Sequence, residues 1–208
     1  MNVIRIIAFS ALIGLAPGAD LHRVEIKEIN TTIQQTPRYQ VSGLKDKPFD
    51  PRYWLEIEAE LEVESLTDTE FIPELRTNWF AIVRAIDKTA PGGKKNVMLT
   101  GEITFQNIRA KDGEAHLIAF IGPDTLEKLT GEDRPNEGDV EGIALTVSGP
   151  GVASEGSRAA GLEKATAKEQ TRWWAKSMYE TVAEAIVAKD RTPFAPLWWD
   201  RYPTEKVD

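Results

Sequence analysis

The sequence predicts a mainly β fold: an antiparallel, immunoglobulin-like β-sandwich with a C-terminal helix and an extended aromatic tail. Three observations carry this. Between residues 20 and 149, short apolar segments follow one another at close spacing, separated by turn-forming residues. The clearest of them alternates strictly between apolar and charged residues. No stretch between them has the length and period of the helix that a parallel crossover needs.

In chain order, HRVEIKEINTTIQ opens with alternating Val24 and Ile26, and RYQVSG is a short strand piece between Pro37 and Gly43. YWLEIEAELEVES is the cleanest strand. Leu55, Ile57, Ala59, Leu61 and Val63 point one way, and Glu56, Glu58, Glu60, Glu62 and Glu64 the other, giving one buried and one solvated face. Its register is strongly specified, because a slip of one residue would bury the glutamates. NWFAIVRAI is apolar on both sides and reads as a central strand, with Trp79 suited to the core. APGGKK is a turn. NVMLTGEITFQNI is a long strand with Gly101 as its expected break. KDG turns a hairpin into EAHLIAFIG. PDTLEKLTG gives a helical turn or two beginning near Asp124, EDRPNEGD is a loop, and VEGIALTVSG is the last clear strand.

Both ends of the chain have their own character. MNVIR, IIAFSALIGLA and PGA form the basic start, apolar run and small-residue end of a secretory signal peptide, read as residues 1–19. The run falls short of the roughly 20 residues that span a bilayer, so no transmembrane span is expected in the mature chain. Cleavage after Ala19 or after Gly18 are both open. Residues 20–150 form the sandwich domain, and the Gly/Ser/Ala-rich residues 151–163 read as a linker. Residues 164–208 read as a helix and tail packing on the sandwich. Trp174, Met178, Val182, Ala185 and Ile186 recur at helical spacing. Pro193, Pro196 and Pro203 then stop the helix and favour an extended tail.

The 208 residues are 41% hydrophobic and 28% charged, with a net charge of −8. That sign argues against nucleic acid, whose phosphates need a basic face. The chain has no cysteine, so disulfides, thiolate chemistry and Cys-type zinc sites are excluded. The acidic face Glu56 to Glu64 reads as a solvated strand surface, with a basic partner and a carboxylate acid/base pair as the weaker alternatives. The acidic loop from Glu132 to Glu141 lacks the EF-hand spacing. His116, alone in an apolar strand, reads as a hydrogen-bonded structural residue. No catalytic residues, metal or cofactor are expected, and the chain reads as non-enzymatic.

The unusual constellation is aromatic. Trp173, Trp174, Trp198 and Trp199 all follow residue 170, and RTPFAPLWWDRYP adds Phe194, Leu197 and Tyr202. Adjacent residues point about 100° apart on a helix and to opposite faces of a strand. Neither tryptophan pair can therefore bury both rings against one flat surface. One reading packs helix and tail on the chain's own sandwich. The other offers these seven residues to a partner, since Trp, Tyr and Arg are favoured interface anchors. A glycan-stacking platform is a further alternative.

A signal peptide, a cysteine-free β-rich domain and the segment TPFAPLWWDRYP together resemble a family of secreted, pilus-like proteins of Verrucomicrobia such as Akkermansia, encoded beside type IV pilus assembly genes. The likeness covers the layout of nearly the whole chain and is sharpest from Thr192 to Tyr202. It implies an immunoglobulin-like sandwich in the periplasm or at the cell surface. It further implies self-association or docking of pilus and secretion components, with no cofactor. The chain departs from true type IV pilins, because its apolar segment precedes the small residues and polar DLHRVEIKE follows them.

Overall fold

A computed structural model of the chain describes residues 22–206 apart from 41, 44, 46–47, 67–68, 112, 155–156, 161–171 and 176–177. The expected signal peptide lies outside the described residues. Two sheets face each other. One has the order β10-β5-β2-β1-β7, the other β11-β4-β3-β6-β8 with β9 beside β4. The strands are β1 (His22–Gln35), β2 (Tyr53–Ser65), β3 (Phe71–Ile86), β4 (Lys94–Arg109), β5 (Glu114–Ile121), β6 (Val140–Ser148), β7 (Val152–Ser154), β8 (Ser157–Ala160), β9 (Glu180–Val182), β10 (Ile186–Val187) and β11 (Thr204–Glu205). The long pairs β1–β2, β2–β5, β3–β4 and β3–β6 are antiparallel, while β7 and β9 join in parallel.

The core lies between the sheets. Leu55, Ile57, Ala59, Leu61 and Val63 are all buried there, as the period-two pattern of β2 requires. Trp79 is fully buried, and its indole N–H donates to Thr77 Oγ1 at 2.8 Å, which in turn donates to the Ile103 carbonyl at 2.8 Å. The largest core side chain thus leaves no orphaned polar atom. Helix α1 (Pro123–Thr130) starts with Pro123 at its first turn and stops at Gly131, whose φ of 75° supplies the left-handed cap.

Several expectations are corrected. The described residues of RYQVSG are not strand, so the β1–β2 connection is a long loop. Gly101 does not break its strand; β4 runs unbroken from Lys94 to Arg109. Residues 151–163, expected as linker, contain β7 and β8, which pair with β1 and β6. The expected C-terminal helix falls in part on residues 164–171 and 176–177, which lie outside the described residues; its described remainder is not α-helical. Trp173–Ala175 form one 3-10 turn, and β9 and β10 take the place of helix farther on. Of the apolar stripe, Ala185 and Ile186 are buried but Met178 is 71% exposed. Open sheet edges offer backbone partners that a local helix cannot match, and tertiary pairing overrides a weak local preference.

The C-terminal segment laces one open side of the sandwich. β9 lies along β4 at Val97–Leu99, β10 along β5 at Phe120–Ile121, and β11 returns to β4 at Phe105–Gln106. The crossing from one sheet to the other passes over Gly101. The Ala185 N–H donates to the Thr100 carbonyl at 2.9 Å, and a Cβ on Gly101 would stand 2.0 Å from the Ile186 carbonyl oxygen. Only glycine permits that approach.

Candidate functional site

Between β10 and β11 the chain leaves the edge and folds onto the outer face of the β5–β2–β1 sheet. Side chains on that face alternate with the core set: Trp54, Glu56 and Glu58 from β2, and His116, Ile118 and Phe120 from β5. Phe194, 2% exposed, stacks on Phe120 with centroids 4.8 Å apart, and Trp198 stacks on Phe194 at 5.9 Å. Trp54 meets Phe194 edge-on at 6.0 Å, and Tyr202 meets Trp198 edge-on at 6.3 Å. Phe120, Phe194 and Tyr202, with Ile118 and with Trp54 and Leu197 packed against them, form a second apolar cluster, separate from the main core. The Tyr39 hydroxyl donates to the Pro193 carbonyl at 2.7 Å and ties the β1–β2 loop to it.

The tail is not extended as its prolines suggested. It is a run of tight turns: Ala195 N–H donates to Thr192 O, Leu197 N–H to Phe194 O, and Arg201 N–H to Trp198 O. Pro193 stands second in the first of these, where its fixed φ favours turning. Two buried charges shape the run. Lys189, 3% exposed, donates to the Ala195 and Leu197 carbonyls at 3.0 Å each. Its Nζ also lies 4.5 Å from the Trp199 ring centre. Burial pushes this amine below the ordinary lysine range. The Glu205 carboxylate accepts the Lys189 and Asp190 backbone N–H groups at 2.8 and 2.9 Å, and burial raises its pKa. Trp198 adopts a left-handed backbone with φ of 58°, which turns the chain between the two tryptophans.

The acidic face is not uniformly wet. Glu62 and Glu64 are exposed and pair with Lys27 and Arg23. Glu60 is half-buried. Glu58 accepts from Arg201 Nε at 2.9 Å and stands 3.0 Å from His116 Nδ1, whose Nε2 is 2.6 Å from Glu114. Glu56 is only 7% exposed, and one of its oxygens is buried without a partner. Burial, and next the neighbouring Glu58 charge, raise its pKa. Burial also lifts the Tyr202 phenol to about 12. The tail roofs one end of a row that the sequence read as solvated throughout.

The seven aromatic and apolar residues singled out from sequence do not form one surface. Phe194, Leu197, Trp198, Trp199 and Tyr202 gather on the outer face just described. Trp173 and Trp174 pack edge-on to each other at 5.5 Å, and Trp174 lies 6.3 Å from Phe80. Phe80 alternates with the buried Trp79 and Ala81, so this pair covers the outer face of the other sheet. Neither ring of Trp198–Trp199 enters the main core. Trp198 is 39% and Trp199 63% exposed. Beside them, Trp199, Arg201 and Tyr202 from the tail and Gln106, Asn107, Glu114 and His116 from the β4–β5 hairpin line an open cleft of about 660 Å³. Lys189, Glu205 and Arg201 organise all this, and no motif marks them: each is an ordinary charge whose role depends on turns distant in sequence.

A protein-family model matches residues 18–208. The chain belongs to the Akkermansia-type family of pilus-like proteins. That family is a structural one rather than a family of enzymes. Among solved structures, the chain is similar to a crystal structure of a protein from Akkermansia muciniphila. The two are 19% identical and superpose with a TM-score of 0.72, over 90% of this chain and 94% of that one. They share the fold. No curated protein matches. Among the described residues, no helix of this pilus-like protein is long and apolar enough to cross a membrane.

Proposed function

We propose that this pilus-like protein is a non-enzymatic, secreted structural component of a pilus-like or cell-envelope assembly, and that it docks a neighbouring subunit through the exposed side of its aromatic tail. It works in the periplasm or at the cell surface. The observation that carries this reading is the pair Trp198 and Trp199, left open to solvent on a base that is fully braced beneath. Phe120, Phe194 and Trp54 hold that base from below, and Lys189 holds it from within. Exposed Trp beside Arg and Tyr is interface chemistry, and a preformed platform binds with little ordering cost. Family membership supports the structural role.

Light scattering on the full chain beside a Trp198→Ala/Trp199→Ala double variant tests it. The full chain has a mass above that of one subunit at micromolar concentration, and the double variant a lower mass while its near-UV circular dichroism remains that of a folded chain. Equal masses for the two proteins would contradict docking through the tryptophans.

A second reading, glycan binding, is favoured by the cleft beside Trp199, where planar polar groups from Gln106, Asn107 and Glu114 face an aromatic wall. It predicts a change in tryptophan fluorescence when envelope or mucin glycans are added, and loss of that change in Trp199→Ala. An unchanged spectrum closes this reading.

A further inference from the structure

The sandwich treats its edges unequally. On one side, β9, β10 and β11 cover β4 and β5. On the other, β7 covers β1 only at His22–Val24. The next stretch of β1 carries two protections: a bulge between Ile26 and Glu28, and Lys27 ion-paired to Glu25 and Glu62. From Ile29 to Gln35 there is no bulge, proline or lysine, and no described residue pairs with that edge.

The direction of its backbone groups follows from one bond. Thr36 N–H donates to Arg52 O at 2.8 Å, in register with the pairs Gln35↔Tyr53 through Glu28↔Glu60. Antiparallel strands alternate hydrogen-bonded and non-bonded pairs. Gln34, Thr32 and Asn30 therefore turn their N–H and C=O groups toward β2. Ile29, Thr31, Ile33 and Gln35 turn theirs outward, as a template that no described strand occupies.

We propose that this edge pairs with the same edge of a second copy of the chain, antiparallel about a two-fold axis at Thr31. That register brings outward-pointing backbone against outward-pointing backbone at every step. On the core side it sets Ile29 against Ile33 of the second copy, twice, around a Thr31–Thr31 pair. Ile33 is only partly buried in one subunit and packs against the rim of the core, so the second strand completes its burial. On the outer side Asn30 meets Thr32 and Glu28 meets Gln34, again twice. No like charges face each other, which would oppose the pairing. Lys27 meets Gln35, and β7 lies clear of the paired region. Joining the β1 edges makes one continuous sheet across both subunits, and an isologous contact of this kind closes as a dimer.

The inference does not rest on the aromatic tail, and its test is separate. The chain has no cysteine, so a Thr31→Cys variant of the full chain has one thiol, placed opposite itself on the axis. In a hydrogen-bonded antiparallel pair the Cα atoms are about 5.5 Å apart, within disulfide reach. Mild oxidation converts T31C to a covalent dimer that reductant reverses. T32C, which faces Asn30 of the second copy, cross-links far less. Thr31→Pro removes an outward N–H and no bond to β2, a place where an edge strand tolerates proline. It raises the dimer dissociation constant, read by sedimentation, about thirtyfold or more, because the two copies lose two hydrogen bonds together. Ile33→Lys does the same, with near-UV circular dichroism confirming that both variants are folded. Equal cross-linking of T31C and T32C, no cross-linking of T31C, or folded T31P and I33K with undiminished dimerisation each overturns the proposal. T31C cross-linking in a Trp198→Ala/Trp199→Ala background keeps this outcome distinct from failure of tail docking.

Discussion

Phe194 is stacked between Phe120 and Trp198 with Trp54 at its edge, and it anchors the tail. Phe194→Ala removes that ring and leaves a cavity that flanking turns cannot fill. It should cost about 3–5 kcal/mol, or roughly 10 °C in the melting temperature for a chain of this size. Trp199→Ala, which loses mainly the contact with Lys189, should cost under about 1 kcal/mol. Comparable losses for both would mean that the exposed tryptophan, not the buried phenylalanine, carries the stability. Glu56 gives a pH signature. Its folded pKa is raised by burial and by Glu58, so the folded state holds its proton to higher pH than the unfolded one. This carboxyl therefore costs stability as pH rises from the ordinary carboxylate range through its folded pKa. Glu56→Gln should raise the melting temperature at pH 7, and the gain should shrink as pH falls toward 4. A gain that is constant with pH would show that ionisation is not the cause. The alternation of β2 made Glu56 identifiable as an outward residue. That it is nonetheless buried follows from Phe194 and Tyr202, well over a hundred residues later, and nothing local signals that roof.

At the scale of elements, the crossing over Gly101 is the most constrained point. Gly101→Ala places a methyl 2.0 Å from the Ile186 carbonyl oxygen, and backbone must move to admit it. We expect a loss of about 3 kcal/mol or more, with faster hydrogen exchange at Ala185, whose N–H bonds to Thr100 O. Unchanged exchange at Ala185 would show that the crossing is looser than described. The same residue shows why some elements were legible and others were not. Glycine within a strand pattern signals either a break or a close approach, and only the position of Ile186 chooses between them. Likewise, Trp174, Met178, Val182, Ala185 and Ile186 have helical spacing, yet Ile186 and Val187 are paired to β5. Their partners are strand edges that become available only once the sandwich has formed. The long strands were legible because each buries one face and its alternation records that choice. The lacing strands are two or three residues long and too short for any period.

For the whole molecule, the C-terminal strands β9, β10 and β11 pair with β4 and β5 of the sandwich, so the two should unfold together. A chain ending at Asp190 loses β11, the roof over Trp54 and Phe120, and the Glu205 carboxylate that holds the Lys189 turn. It should unfold at lower denaturant with a smaller m-value, and it should aggregate through the bared β4 edge. Within residues 151–163, read from composition as a linker, Val152–Ser154 and Ser157–Ala160 pair with β1 and β6, because Gly/Ser/Ala-rich sequence can pair as edge strand as well as link elements. Residues 185–206 are strapped across their own sandwich, and on the proposed function that strap holds Trp198 and Trp199 ready for a partner. Amide hydrogen exchange of peptides covering these residues, measured at high and at hundredfold lower protein concentration, tests it most directly. Strong protection is expected at Ala185, Thr192 and Lys206, whose N–H groups bond to the Thr100, Lys189 and Thr104 carbonyls, and it should not change on dilution. Rapid exchange, or protection that vanishes on dilution, would show that the strap is loose or borrowed from a neighbouring subunit and would contradict it.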